Sequence, residues 1–438
     1  MLILALACKK TPDDTAAPEY EAPWPDWTFE HWVWEDESTQ ESATALVDGY
    51  LERDIDVGAI IIDSPWATGY NTFEWDTDRY PDPQGMIDDF HDKGVHVFVW
   101  VVPAINTDVE VYDEVAEKGW FMQDDESSGP EVIDWWKGEG SLIDYWNPEA
   151  VDWWHGQVDK TLAYDIDGWK CDGLDYGVVF APYSPGAGRA VDRIEYSSAY
   201  YRDFHDYTRE QLGDDRVNTS RPIDNYGADK GGDWFAFTPV DILWAGWVGD
   251  QDATFSGLQA ALNNMRHSSE YGYATFGSDI GGYREDDTYP QGRGKELFLR
   301  WAQLGALSPV MENGGGGDHH PWAFDDETVA IYKRFVDLHM ALLPYINEHG
   351  ATAFHEGNSL MSFTSALTFE YLLGPDVFVA PMLEEGTSRS TTLPDGDWIY
   401  LFDGSAYSGA VTLEVPLDEF PVFVREGSDA ASALQDAL

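Results

Sequence analysis

The chain repeats one short pattern, an apolar run that stops at a carboxylate. Gly58-Ala59-Ile60-Ile61-Ile62 ends at Asp63, Ser141-Leu142-Ile143 at Asp144, and Gly168-Trp169-Lys170-Cys171 at Asp172. Apolar side chains at successive positions fit a strand buried on both faces, which is the habit of parallel sheets. Residues 95–102 form another such run, stopped by Pro103; a helical stretch closed by Gly94 separates it from the first. Asn147-Pro148 opens a further helix with a cap and a first-turn proline. Runs at 216–220, 242–247, 274–278 and 305–311 bring the predicted strands to eight. Eight strand–helix alternations predict an α/β fold, a (β/α)8 TIM barrel, with an open doubly wound sheet as the alternative. Asp63, Asp144, Asp172, Arg221, Asp250 and Asp279 all fall at downstream strand ends. In a barrel those ends share one mouth, the face that carries active sites.

After Leu343-Pro344-Tyr345 the texture changes to short β-rich runs broken by Gly, Pro and Asp, which predict a small all-β region. The expected organisation is therefore a barrel over 28–345 and a β domain over 346–438. Residues 9–27 read as a proline-bearing linker. Residues 1–8 read as the remnant of a lipoprotein-type signal, because Leu4-Ala5-Leu6-Ala7-Cys8 precedes Lys9 and Lys10. The apolar run before Cys8 is too short to cross a bilayer. The expectation is an exported protein, either tethered to the bacterial envelope through a lipidated Cys8 or free in the periplasm or outside the cell.

Composition narrows the chemistry. There are 81 acidic against 25 basic residues, a formal net charge of −56. Such a surface repels phosphate backbones and anionic headgroups, which argues against nucleic-acid partners. Aromatic residues make up 15% of the chain, with 20 Trp among them; they serve a core, or the stacking faces of a sugar site. Two cysteines, Cys8 and Cys171, give neither a disulfide framework nor a cysteine zinc site. Carboxylates gathered at one mouth suit glycoside hydrolysis, which takes two of them flanking the scissile bond. Metal binding is the competing reading, without EF-hand spacing or a His/Cys pair behind it. No cofactor is called for, and the sequence does not speak to oligomeric state.

Asp167-Gly168-Trp169-Lys170-Cys171-Asp172-Gly173 resembles glycoside hydrolase family 31, the retaining α-glucosidase, α-xylosidase and α-galactosidase group. The likeness continues through Asp63 and Asp78-Arg79-Tyr80-Pro81, Trp136-Lys137-Gly138, and Trp247-Val248-Gly249-Asp250. It extends to Phe276-Gly277-Ser278-Asp279-Ile280-Gly281-Gly282-Tyr283, Arg300-Trp301-Ala302-Gln303 and Leu373-Gly374-Pro375-Asp376. The resemblance implies Asp172 as nucleophile and Asp250 as general acid/base, with Asp63, Trp136, Lys170, Arg221, Trp247, Asp279 and Tyr283 around the sugar. A structural role for Asp279 is an equal alternative. Lys170 alternates to the same face as Asp172 and is expected to hold it ionised. Asp250 is expected to rest protonated, with Trp244 and Trp247 as apolar walls. Cys171 alternates away as a buried thiol, and Asp175 is expected to be structural.

The sequence departs from the family in three places, one of them the long stretch between Arg221 and Asp250. Only about 25 residues precede the barrel pattern, where family members carry a β-sandwich. Met311-Glu312-Asn313-Gly314 stands where an Arg-x-His is usual, making Glu312 and Asn313 candidates for a sugar hydroxyl. The implied activity is an exo-acting α-glycosidase on an oligosaccharide or glycoside, foremost an α-glucoside. The alternatives are an α-galactosidase, an α-xylosidase and a non-catalytic carbohydrate-binding lipoprotein.

Overall fold

The computed structural model describes residues 20–173, 182–225 and 234–438. Cys8, with the tether expected of it, and Asp175 lie outside the described residues.

Eight parallel strands form the barrel: Trp32–Glu35, Ala59–Ile62, His96–Val101, Gly168–Cys171, Thr219–Ser220, Ala245–Val248, Phe276–Ser278 and Glu312–Asn313. They pair in chain order, the first pairs with the eighth through Trp32↔Glu312, and a single parallel bridge, Asp279↔Glu312, joins the seventh to the eighth. The ring is thus closed, and the fold is the expected one.

Three elements differ from expectation. Trp32–Glu35 is a barrel strand that the apolar-run criterion passed over. Its pattern is alternation: Trp34 faces the mouth while Val33 packs outward under α1 (Gln40–Leu51). Asp144 is not at the mouth. Its run belongs to a strand, Gly138–Leu142, that pairs antiparallel with Ala104–Asn106 and Ile133–Trp135 in a separate three-stranded sheet. An apolar run reports burial, and it does not distinguish a barrel strand from a covered antiparallel one. Asp144 is fully buried and accepts from Ser184 Oγ and the Gly186 and Trp146 amides, so it ties loops together. The expected eighth strand at 305–311 begins inside the helix Lys295–Ala306, and the true strand starts at Glu312.

The helices obey their local signals. Asn147 caps Pro148–Leu162, Thr254 caps Phe255–Tyr271, and Thr39 with Ser42 forms a capping box at α1. The helix Asp326–Glu356 runs straight through the Leu343-Pro344-Tyr345 point where the sequence texture changes. Beyond it lies a six-stranded antiparallel sheet, followed by Asp429–Asp436. Buried Arg300 fastens this region to the barrel, donating to the carbonyls of Val415, Glu419 and Gly386, while Gln303 reaches Leu417 O. Among the described residues, no helix is long and apolar enough to cross a membrane.

Candidate active site

A pocket of about 660 Å³ opens at the C-terminal mouth of the barrel. Its floor holds Asp63, Lys170, Asp172, Arg221, Trp247, Asp250 and Asp279, and Trp136 and Tyr283 lie on its wall. These are nine of the eleven residues singled out from sequence.

Asp172 and Asp250 are joined by one guanidinium. Arg221 donates from Nε to Asp172 Oδ1 (3.0 Å) and from Nη2 to Asp250 Oδ1 (2.8 Å). Its third arm goes to buried Asp224 Oδ2 (2.6 Å), and its face lies 4.8 Å from the Trp247 ring centroid. Trp100 Nε1 donates to the other Asp172 oxygen at 3.2 Å. Asp224 also accepts the Gly249 amide, so one carboxylate fixes both the bridging arginine and the turn before Asp250. That turn is tight. A Cβ at Gly249 would lie 2.7 Å from Trp247 Nε1, and Asp250 itself takes φ 61°, a left-handed conformation of the kind that gathers at functional sites.

Two expectations about charge are corrected. Lys170 does not contact Asp172. Its ammonium bonds Asp63 Oδ2 at 2.8 Å and sits 3.5 Å from the Trp34 ring centroid, so the cation on Asp172 is Arg221. Nor does Asp250 rest in an apolar setting. Burial acts to raise its pKa, but the Arg221 charge and hydrogen bond outweigh it and the net direction is down. Burial raises Asp172, Asp250 adds to the rise, and Arg221 and Lys170 only partly oppose it. Trp244 is no wall of this pocket; it packs against His205 and Arg209.

Glu312 and Asn313 part company. Glu312 points into the barrel beneath the floor and is fully buried, so it does not line the pocket. Asn313 points outward and donates to Tyr50 Oη on α1 and to His319 O. Cys171 is buried on the same outer side, its thiol pushed up by burial. Asp279 lines the floor and accepts the Asp250 amide at 3.1 Å, which is a holding role.

Sequence reasoning missed Trp34, Asp36, Trp100, Asp224 and Arg284. Trp34 and Asp36 belong to the overlooked first strand and the turn after it. Asp36 accepts from Tyr283 Oη at 3.2 Å, and burial together with the Asp63 charge pushes its pKa up to about 6. The signal for Asp224 was its place three residues after Arg221. Among the described residues, no group of three or more His, Cys, Asp or Glu is arranged to hold a metal ion.

A closed parallel barrel with two carboxyls bridged at its mouth is the frame of a retaining or inverting glycosidase. The chain matches the family model for the "Glycosyl hydrolases family 31 TIM-barrel domain" over residues 21–221 and 238–349, and the family's C-terminal domain over 355–428. It belongs to glycoside hydrolase family 31. It is 26% identical to the alpha-xylosidase XylQ of Lactiplantibacillus pentosus over 92% of this chain and 54% of that protein. It is 27% identical to the 1,3-alpha-isomaltosidase of Kribbella flavida over 92% of this chain and 60% of that protein. A solved structure of a Kfla1895 mutant in complex with isomaltose superposes with a TM-score of 0.82 at 25% identity, covering 97% of this chain and 64% of that one. The chain spans little more than half the length of the curated relatives it matches.

Proposed function

We propose that the protein is an exo-acting, retaining α-glycosidase whose preferred substrate is a terminal α-glucoside. The observation that carries this reading is the pair Asp172 and Asp250 held by one guanidinium at the floor of a pocket rather than along an open cleft. A single fork spanning both carboxyls suits the separation of about 5–5.5 Å used by retaining enzymes. Asp172 attacks the anomeric carbon from one side while Asp250 protonates the departing oxygen, and Asp250 then takes a proton from the water that releases the sugar. Asp250 rests ionised against Arg221, so sugar entry must loosen that contact and exclude water before Asp250 serves as an acid.

The lining favours an uncharged sugar. Lys137, Lys170, Arg221 and Arg284 each already face a carboxylate: Glu37, Asp63, Asp172 with Asp224 and Asp250, and Asp252. Asp36 and Asp134 add further acid to the wall. An anionic sugar would meet net repulsion there.

A panel of aryl α-glycosides tests the proposal. Turnover of the α-glucoside should exceed that of the α-xyloside, α-galactoside and any sulfonated glycoside, with the α-anomer released first. Asp172→Ala should abolish turnover, with azide restoring part of it as the β-glycosyl azide. A first-formed β-anomer, or a fully active Asp172→Ala variant, would sink the assignment. Sugar binding without turnover would move the chain to the carbohydrate-binding reading.

A further inference from the structure

At the pocket floor and directly beneath it two carboxyl side chains stand on neighbouring strands. Asp279 and Glu312 are register partners on the seventh and eighth strands, so their side chains project to the same face of the sheet. Both are buried, at 1% and 0% exposure. Asp279 Oδ2 accepts the Asp250 amide. Among the described residues, Asp279 Oδ1 and both Glu312 oxygens have no donor at hydrogen-bonding geometry, and the one neutral donor turned toward Glu312 is the Trp34 indole N–H, itself without another partner.

The indole can serve one Glu312 oxygen, so at least two buried carboxyl oxygens still lack a donor, and a buried carboxylate without one is strongly disfavoured. The nearby cations do not supply donors. Lys170 is bonded to Asp63 from the second strand, and Arg221 is spread over Asp172, Asp224 and Asp250. The charges facing the pair from the surrounding strands are Lys170, Asp63, Arg221 and Asp250. The donor that would satisfy two adjacent carboxyls is a proton on one of them.

We propose that Glu312 is an un-ionised acid whose O–H donates to Asp279 Oδ1, so that the pair carries one proton and one negative charge. Asp279 is thereby free to spend its other oxygen on the Asp250 amide. Glu312 is a positioning residue that acts through Asp279 on the turn holding Asp250. It lies off the pocket lining, whereas the departure from the family pattern led to the expectation of a group on a sugar hydroxyl. Burial pushes both carboxyls up, with the Glu312 charge adding to the rise of Asp279 and the Asp63 charge to that of Glu312, which agrees with a proton retained by the pair.

The full-length chain tests this with Glu312→Gln and Glu312→Leu. Gln keeps the shape of an un-ionised acid and a donor for Asp279, whereas Leu keeps only bulk. At pH 7 the infrared spectrum of the wild type minus that of Glu312→Gln should show the carbonyl band of an un-ionised carboxylic acid, shifting in D₂O. A carboxyl raised in the fold gives stability that is present below its unfolded pKa and lost as pH rises toward the folded value. The wild type should therefore lose denaturant stability relative to Glu312→Gln as pH climbs from about 4.5. In kcat/KM the Gln variant should lose less than about a third of what Leu loses on a logarithmic scale. The kinetic comparison rests on the proposed activity; the spectrum and the pH linkage do not, so failure of one reading is distinguishable from failure of the other. Absence of the carbonyl band, or a stability gap that stays flat with pH, would overturn the proposal even if the Leu variant does not fold.

Discussion

The barrel carries a buried carboxylate network at each end, and the two are built to opposite standards. At the foot, Asp167 stands just before the fourth strand, with one oxygen on His91 Nε2 (2.8 Å) and the Val97 amide (2.8 Å) and the other on His96 Nδ1 (2.9 Å). Trp27 stacks on His96 at a ring separation of 3.9 Å. Both oxygens of Asp167 are satisfied. At the mouth, five residues further along the same strand, Asp172 shares one arginine with Asp250, and among the described residues three oxygens of Asp279 and Glu312 have no donor at hydrogen-bonding geometry. A satisfied network stabilises and fixes the fold, whereas an incompletely satisfied one is left ready to exchange partners with a substrate or a proton. The same strand therefore carries a lock at one end and reactive groups at the other.

The largest test of this contrast is Arg221→Met. Removing one partner of a buried, hydrogen-bonded charge pair costs about 2–5 kcal/mol, or roughly 30- to 5,000-fold in kcat/KM. Arg221 opposes the upward push of burial on both Asp172 and Asp250. Both limbs of the pH–rate profile should consequently move to higher pH in the variant. A large rate loss with an unmoved profile would reduce Arg221 to a steric support.

Asp167→Asn should do the reverse, sparing kcat/KM while lowering unfolding free energy by about 2–3 kcal/mol, a figure discounted because His91 and His96 are partly exposed. Asp167 is held well below the usual carboxylate range; burial opposes this, but the two histidines and the Val97 amide overcome it. The Asp167 hydrogen bond raises His91 against a smaller effect of burial. The depressed acid contributes stability above its unfolded pKa and loses it as pH falls further; the raised histidine contributes below its unfolded pKa and loses it as pH rises. The gap between wild type and variant should thus be widest across about pH 4–6.5 and narrow on both sides, as read by denaturant titration. A gap that does not narrow above about pH 6.5 would mean that His91 contributes only as a neutral hydrogen-bonding group.

What the sequence revealed divides along the same line. Asp172 was legible because Gly168-Trp169-Lys170-Cys171 is a continuous run, and Asp250 because Trp247-Val248-Gly249 fixes its turn. The first strand was not, since its inward residues are two tryptophans set among Glu30, His31 and Glu35, and alternation over four residues is a faint signal. Glu312 and Asn313 were read together, yet strand parity sends one inward and the other outward. Gly314 then passes so close to Trp34 that a Cβ would lie 2.2 Å from its indole, a constraint invisible without the fold. The contact with Asp172 expected of Lys170 is made by Arg221 for a like reason. Which cation meets which carboxylate depends on how five strands meet around the barrel, and spacing along one strand does not encode it.

The smallest expected effect separates both networks from the surface. A formal charge of −56 over 438 residues makes exposed acids repel one another, and added salt screens that repulsion. The melting temperature should rise with NaCl to at least about 0.5 M, where the screening length has fallen to about 4–5 Å. Buried pairs such as Lys170–Asp63, at 5% and 9% side-chain exposure, are screened far less than exposed ones. The curves for wild type and Asp167→Asn should accordingly run parallel, offset by the loss of the foot network alone. Curves that converge at high salt would show that the His91–Asp167–His96 contact is screened like a surface pair, and the distinction between lock and surface would fall. A flat wild-type curve would show that the acids are spaced widely enough to be harmless. It would leave the offset between the two proteins as the sole measure of what the foot of the barrel contributes.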